Sequence, residues 1–141
     1  MKRVGDIALR LLPWVALAAA LVAATRFAGD AIWPCPVACQ GGGHYQRLLG
    51  IPVHVPATAI MLAVALLGWL RRREAAWLAW VAAGGSLYFL WVAVQLGLRC
   101  PYCFTVHGLV LMAAVCALAA PVRRGELPGL ATIAFLGLHF A

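Results

Sequence analysis

Four long apolar runs alternate with short polar breaks along the chain. They extend from about Ile7 to Phe27, from Pro52 to Leu70, from Ala75 to Leu98 and from Pro101 to Val122. Each is close to the ~20 residues that a helix needs to cross a bilayer. A last apolar stretch, Leu127 to Ala141, is only 15 residues long and begins beside Pro128, which predicts a partial or tilted fifth segment. The pattern predicts an all-α integral membrane protein, a four-transmembrane-helix bundle with a partial fifth helix. Residues 1–122 would form the four-span domain, and 123–141 a cytoplasmic turn followed by the short apolar C-terminal segment.

Composition agrees with the pattern. Of 141 residues, 65% are hydrophobic and 11% charged, against roughly 25% charged in a soluble domain. An ordinary water-soluble core and intrinsic disorder are both excluded by these values. Membrane lipid is the expected solvent.

The basic residues orient the spans, because loops retained in the cytoplasm carry an excess of Lys and Arg. Lys2, Arg3 and Arg10 open span one, Arg71, Arg72 and Arg73 separate spans two and three, and Arg123 and Arg124 follow span four. Only Arg26, Arg47 and Arg99 fall on the other side. The N-terminus is therefore expected in the cytoplasm, in a multi-pass protein of a bacterial inner membrane. A net charge of +7 distributed over span ends makes no continuous basic stripe, so no nucleic-acid partner is expected. A cleaved signal peptide is the alternative for span one; Asp6, Arg10 and the length of the run speak against it.

That orientation changes the meaning of the five cysteines. Cys35 and Cys39 lie in the outward loop from about Ala28 to Ile51, which also holds the run Gly41 to Gly43. Cys100 and Cys103 stand where span four begins, on the same periplasmic side. An oxidising compartment lets thiol pairs cycle between dithiol and disulfide, and two such pairs suggest an electron relay. In Cys100-Pro-Tyr-Cys103, Pro101 suits the first helical position, which predicts Cys100 as the N-cap and Cys103 in the first turn. The positive end of the helix dipole favours the thiolate there, so Cys103 is the expected reactive sulfur.

His107 follows Cys103 by one turn on the same face. It is a candidate hydrogen-bond donor to a carbonyl oxygen on a ligand held between helices; the plainer reading is an imidazole bonded to a neighbouring helix. Further candidate lining residues are His54, Tyr88, Phe89, Trp91 and Gln95. Aromatic residues near an interface are commonly anchors, whereas His54 and Gln95 are polar at membrane depth. Cys116, about 20 Å deeper and on another face, is read as packing.

The two-cysteine spacing also serves zinc sites, and four outer thiolates would suffice for tetrahedral zinc. No metal is expected, because structural zinc usually staples small soluble modules. A c-type haem would require His where Phe104 stands.

The loop cysteine pair after span one, Gly50-Ile51-Pro52 at the opening of span two, and the Cys-Pro-Tyr-Cys at the opening of span four together resemble the vitamin K epoxide reductase family. The resemblance is to its short bacterial members and covers roughly Ile7 to Val122. It implies a four-helix bundle around a quinone, ubiquinone or menaquinone, with Cys103 as the sulfur that meets it and Cys100 as its disulfide partner. It further implies that Cys39 shuttles electrons inward from Cys35. The donor would be a separate thioredoxin-like periplasmic protein, since no thioredoxin domain is fused, and the activity would support disulfide bond formation. Family members carry a hydrogen-bonding residue, commonly tyrosine, where His107 stands.

The chain departs from the family in three places. The loop cysteines are separated by only three residues, glycines occupy 41–43 where a serine is expected, and Val53 follows the Gly-Ile-Pro with His54 one place later. Two other functions fit the same residues. One is a DsbB-like quinone reductase, whose second cysteine pair would be spread through a loop; the other is a non-catalytic scaffold subunit held by a metal or a static disulfide.

Overall fold

A computed structural model describes residues 2–25, 47–48, 51–97, 100–119 and 126–139. Cys35, Cys39, Arg26, Arg99, Arg123 and Arg124 lie outside the described residues. The described chain is all-helical apart from one two-stranded ribbon. Its elements are α1 (Lys2–Ala24), β1 (Arg47–Leu48), β2 (Ile51–Pro52), α2 (His54–Trp69), α3 (Glu74–Gln95), α4 (Pro101–Ala117) and α5 (Glu126–His139).

The helix ends follow from local chemistry. Pro52, the expected start of the second span, instead pairs with Arg47 in the antiparallel ribbon while Leu48 pairs with Ile51. Proline fits such an edge position because it has no N–H to donate, and α2 therefore begins at His54. At its other end, Arg71 has φ 52°. Its N–H donates to the Gly68 carbonyl and that of Arg72 to the Leu67 carbonyl, the paired bonds of a Schellman cap. Helix α3 stops in a related way at Gly97, φ 63°, whose N–H donates to the Val94 carbonyl. Glycine is suited to that left-handed turn because it has no Cβ to clash.

Helices α1, α2, α3 and α4 close a ring of pairwise contacts, each touching the next and α4 returning to α1; α5 lies outside the ring against α3. Neighbours in the ring run antiparallel. The Trp14 and Trp69 rings meet edge to face at 5.8 Å, bringing the start of α1 to the end of α2. The Tyr102 hydroxyl donates to the Ala23 carbonyl at 3.1 Å, bringing the end of α1 to the start of α4. One end of the ring thus carries Arg10 and Arg71 to Arg73, and the other carries Cys100 and Cys103.

The interior is built from small side chains. Ala16, Ala19, Ala79, Ala113 and Ala117 are fully buried, and the largest fully buried side chains are Met61, Val64 and Cys100. Large apolar residues point the other way, with Trp14 61% exposed, Leu21 59% and Leu66 56%. A water-soluble bundle buries its leucines and tryptophans. Helices in lipid gain nothing from hiding such residues, and small residues let their backbones approach. The α3–α5 crossing shows this closely: a Cβ added to Gly84 would fall on the Ala131 carbonyl. At the α1–α2 crossing, a Cβ on Gly68 would stand 3.3 Å from that of Pro13.

Among the described residues, two helices are long and apolar enough to cross a membrane, Gly5–Ala24 within α1 and α3 over Glu74–Gln95. Helices α2 and α4, with 16 and 17 residues, measure about 24 and 26 Å at 1.5 Å per residue. The expected fifth segment forms a 14-residue helix, α5.

Candidate functional site

The Cys-Pro-Tyr-Cys segment forms the head of α4. Cys100 is its N-cap, with extended backbone at φ −106° and ψ 107°, and Pro101 occupies the first helical turn. The Cys103 N–H donates to the Cys100 sulfur at 3.4 Å, and the Phe104 N–H donates to the Cys100 carbonyl at 3.1 Å. Cys100 thus takes the place a serine or aspartate usually fills, satisfying one of the amides a helix start leaves without a partner. Cys100 is 2% exposed and Cys103 half-buried, so the two sulfurs differ in access although they share one helix terminus. Both feel the same positive dipole end, which favours negative charge on sulfur.

Tyr102, between them, is half-buried and bonded to α1 through its hydroxyl. The sequence reading gave it no role. Its signal was a phenol at the start of an apolar run, a group that needs a partner when buried, but only the fold shows that the partner is the last turn of α1. The bond fixes the head of α4 and hence the position of both thiols.

One turn deeper, about 6 Å along the axis, the His107 ring stacks on Phe89 of α3, with centroids 6.1 Å apart and planes 11° from parallel. Its Nδ1 is buried with no hydrogen-bond partner among the described residues. A buried polar nitrogen left without a partner costs on the order of 1–3 kcal/mol, and native structures rarely leave one so. The alternative reading of His107 as bonded to another helix finds no counterpart at this atom among the described residues. The Trp80 indole N–H of α3, in a side chain packed against the core, is likewise buried and without a partner among them.

The remaining candidates divide between two faces. Tyr88 and Trp91 meet Phe135 of α5 at centroid distances of 5.7 and 6.3 Å, and each other at 6.1 Å. They form an aromatic seam between α3 and α5, whereas Phe89 is the aromatic placed beside His107. His54 is the first residue of α2, half-buried, with its carbonyl accepting the Thr58 hydroxyl at 2.7 Å. Gln95 ends α3 and is exposed. Both stand at the same end of the ring as Cys100 and Cys103. Cys116 is partly buried against the alanine core. The loop pair Cys35 and Cys39 is outside the described residues, and among the described ones no three metal-ligating side chains converge.

The arrangement suits two-electron chemistry at one helix head. Cys103 is an accessible sulfur in a thiolate-favouring position, Cys100 is a sulfur close enough to cap its amide, and His107 is an aromatic-backed nitrogen available for a hydrogen bond. Compared with models of known families, with curated proteins and with solved structures, the chain matches none.

Proposed function

We propose that this chain is a membrane thiol oxidoreductase of the vitamin K epoxide reductase type, passing electrons from an outer-face thioredoxin-like dithiol to a membrane quinone. The observation that carries the reading is the head of α4: a capped Cys100–Cys103 pair with a buried imidazole nitrogen one turn below that has no partner among the described residues.

Four spanning helices are supported by the outward-facing large apolar residues and by the ring of antiparallel contacts. Helices α2 and α4 fall short of the ~30 Å hydrocarbon thickness, but apolar residues flank both, Ile51 and Leu70 for α2 and Leu118 for α4. Modest thinning of the bilayer accommodates the remainder. The arginine end opposite the cysteine end supports a cytoplasmic N-terminus and periplasmic thiols. An inner-membrane location goes with that orientation.

The residues present fit a quinone. It is a flat apolar ring with carbonyl oxygens, and Phe89 with His107 offers an aromatic face and a nitrogen for one of them. When bound, the quinone supplies a two-electron, two-proton acceptor. Cys103 gives up its electron pair as its sulfur bonds to that of Cys100, and the two thiols together release two protons. His107 would orient the acceptor by donating its Nδ1–H to a carbonyl oxygen. The Cys100–Cys103 disulfide is then reduced by the Cys35–Cys39 dithiol, and that pair in turn by the external donor; each exchange is thiolate attack on a disulfide and conserves the electron pair.

The test is quinone absorbance followed over time with purified protein, a reduced dithiol donor and ubiquinone or menaquinone, native chain against Cys103→Ala. Loss of quinone only with Cys103 present supports the proposal. No loss in either chain, with stoichiometric zinc in the preparation, would favour the metal-stabilised scaffold instead.

A further inference from the structure

A cleft of about 740 Å³ opens at the end of the ring opposite the cysteines, between the first half of α1 and the α2–α3 turn. Its charged lining is Arg10, Arg71, Arg72 and Arg73 against one acid, Asp6. Arg73 lies over the Trp77 ring at 5.8 Å. No salt bridge engages Arg10, Arg71 or Arg72 among the described residues. The cleft also has an apolar wall, formed by the Trp14–Trp69 pair with Leu9 and Leu12.

Arg71 holds the left-handed cap position of α2, where glycine or asparagine is the unstrained choice. A non-glycine residue there costs roughly 1–2 kcal/mol, and the residue carried at that cost is one of the cleft's lining arginines. Such strain points to a role for the residue that bears it.

We infer that this cleft binds the phosphodiester headgroup of an anionic phospholipid from the surrounding leaflet, with the acyl chains descending along the tryptophan pair. The inference rests on the membrane reading above. Guanidinium groups pair with phosphate through two parallel N–H donors, and basic pockets between helices on the cytoplasmic side are suited to anionic headgroups. Tryptophan belongs at the same depth, its ring in the acyl boundary and its N–H among headgroups. A soluble phosphate would use the arginines and leave the apolar wall idle; a phospholipid uses both.

The experiment incorporates the full chain into phosphatidylcholine vesicles, confirms it by co-flotation, then extracts it in mild detergent with equimolar phosphatidylglycerol and phosphatidylcholine and counts retained lipids by native mass spectrometry. One phosphatidylglycerol per chain is expected, with little phosphatidylcholine. Arg10→Gln, which leaves the three arginines of the turn to hold orientation, lowers retention about fivefold, as one basic residue near an anionic surface should; Trp14→Ala lowers it with the charge intact. Equal retention of both lipids, retention unchanged in both variants, or displacement by millimolar inorganic phosphate would overturn the inference. Failure to co-float with any vesicle would overturn the membrane reading itself, a distinguishable result.

Discussion

Cys100 and Cys103 differ in burial but not in dipole, and that difference carries a prediction. In the reduced protein near neutral pH, Cys103 alkylates faster than Cys100, which is 2% exposed, and faster than Cys116, thirteen residues further into the helix; equal rates measured by mass spectrometry would remove the activated sulfur. His107→Phe keeps the stack on Phe89 and removes the unpartnered nitrogen, so the melting temperature should hold or rise while quinone reduction slows by roughly tenfold, about one hydrogen bond to the reacting oxygen. Unchanged turnover would reduce His107 to packing. Tyr102→Phe removes the bond to Ala23 and should cost on the order of 1 kcal/mol of stability, read as a lower midpoint in detergent. At this scale the sequence was informative where a residue's role is local. Pro101 after a cysteine announces an N-cap whatever surrounds it, whereas the partner of Tyr102 lies 79 positions away and had no local signal.

Among elements, the helices were legible and their edges were not. Apolar run length finds a helix, but Ile51-Pro52 continues the run in composition while pairing as a strand, and hydropathy does not distinguish the two. The faces were hidden for a related reason. Helix α3 is apolar all round, so no stripe shows which side meets which neighbour; Tyr88 and Trp91 meet α5 while Phe89, between them in sequence, meets α4. The tightest approach is at a glycine. Gly84→Leu must push α5 away from α3, because even a Cβ there meets the Ala131 backbone. A loss of roughly 1–3 kcal/mol is expected from such overpacking, with quinone reduction retained because α5 lies outside the ring. Loss of activity along with stability would tie α5 to the thiol site.

Among the described residues, the bundle carries Arg10 and Arg71 to Arg73 at one end and Cys100 and Cys103 at the other, with small side chains between and large ones outside. The separation of the Arg71 to Arg73 turn from the Cys-Pro-Tyr-Cys was legible in the sequence, because one apolar run of near-helical length lies between them. The sequence did not anticipate how the ring closes, which depends on alanine and glycine contacts that composition cannot assign. The ring brings the Cys100–Cys103 pair and His107 onto one helix backed by Phe89, and the function proposed for it is oxidation of that pair by a quinone. A single-turnover experiment tests this most directly: fully reduced protein is mixed anaerobically with ubiquinone and no donor, and quinol formed is counted against disulfides mapped by mass spectrometry. The expected result is one protein disulfide per quinol on the first turnover, formed at Cys100–Cys103 and found there or, after exchange, at Cys35–Cys39, with neither product in Cys103→Ala. Quinol formed equally by that variant, or native protein leaving both the thiols and the quinone unchanged, would contradict it.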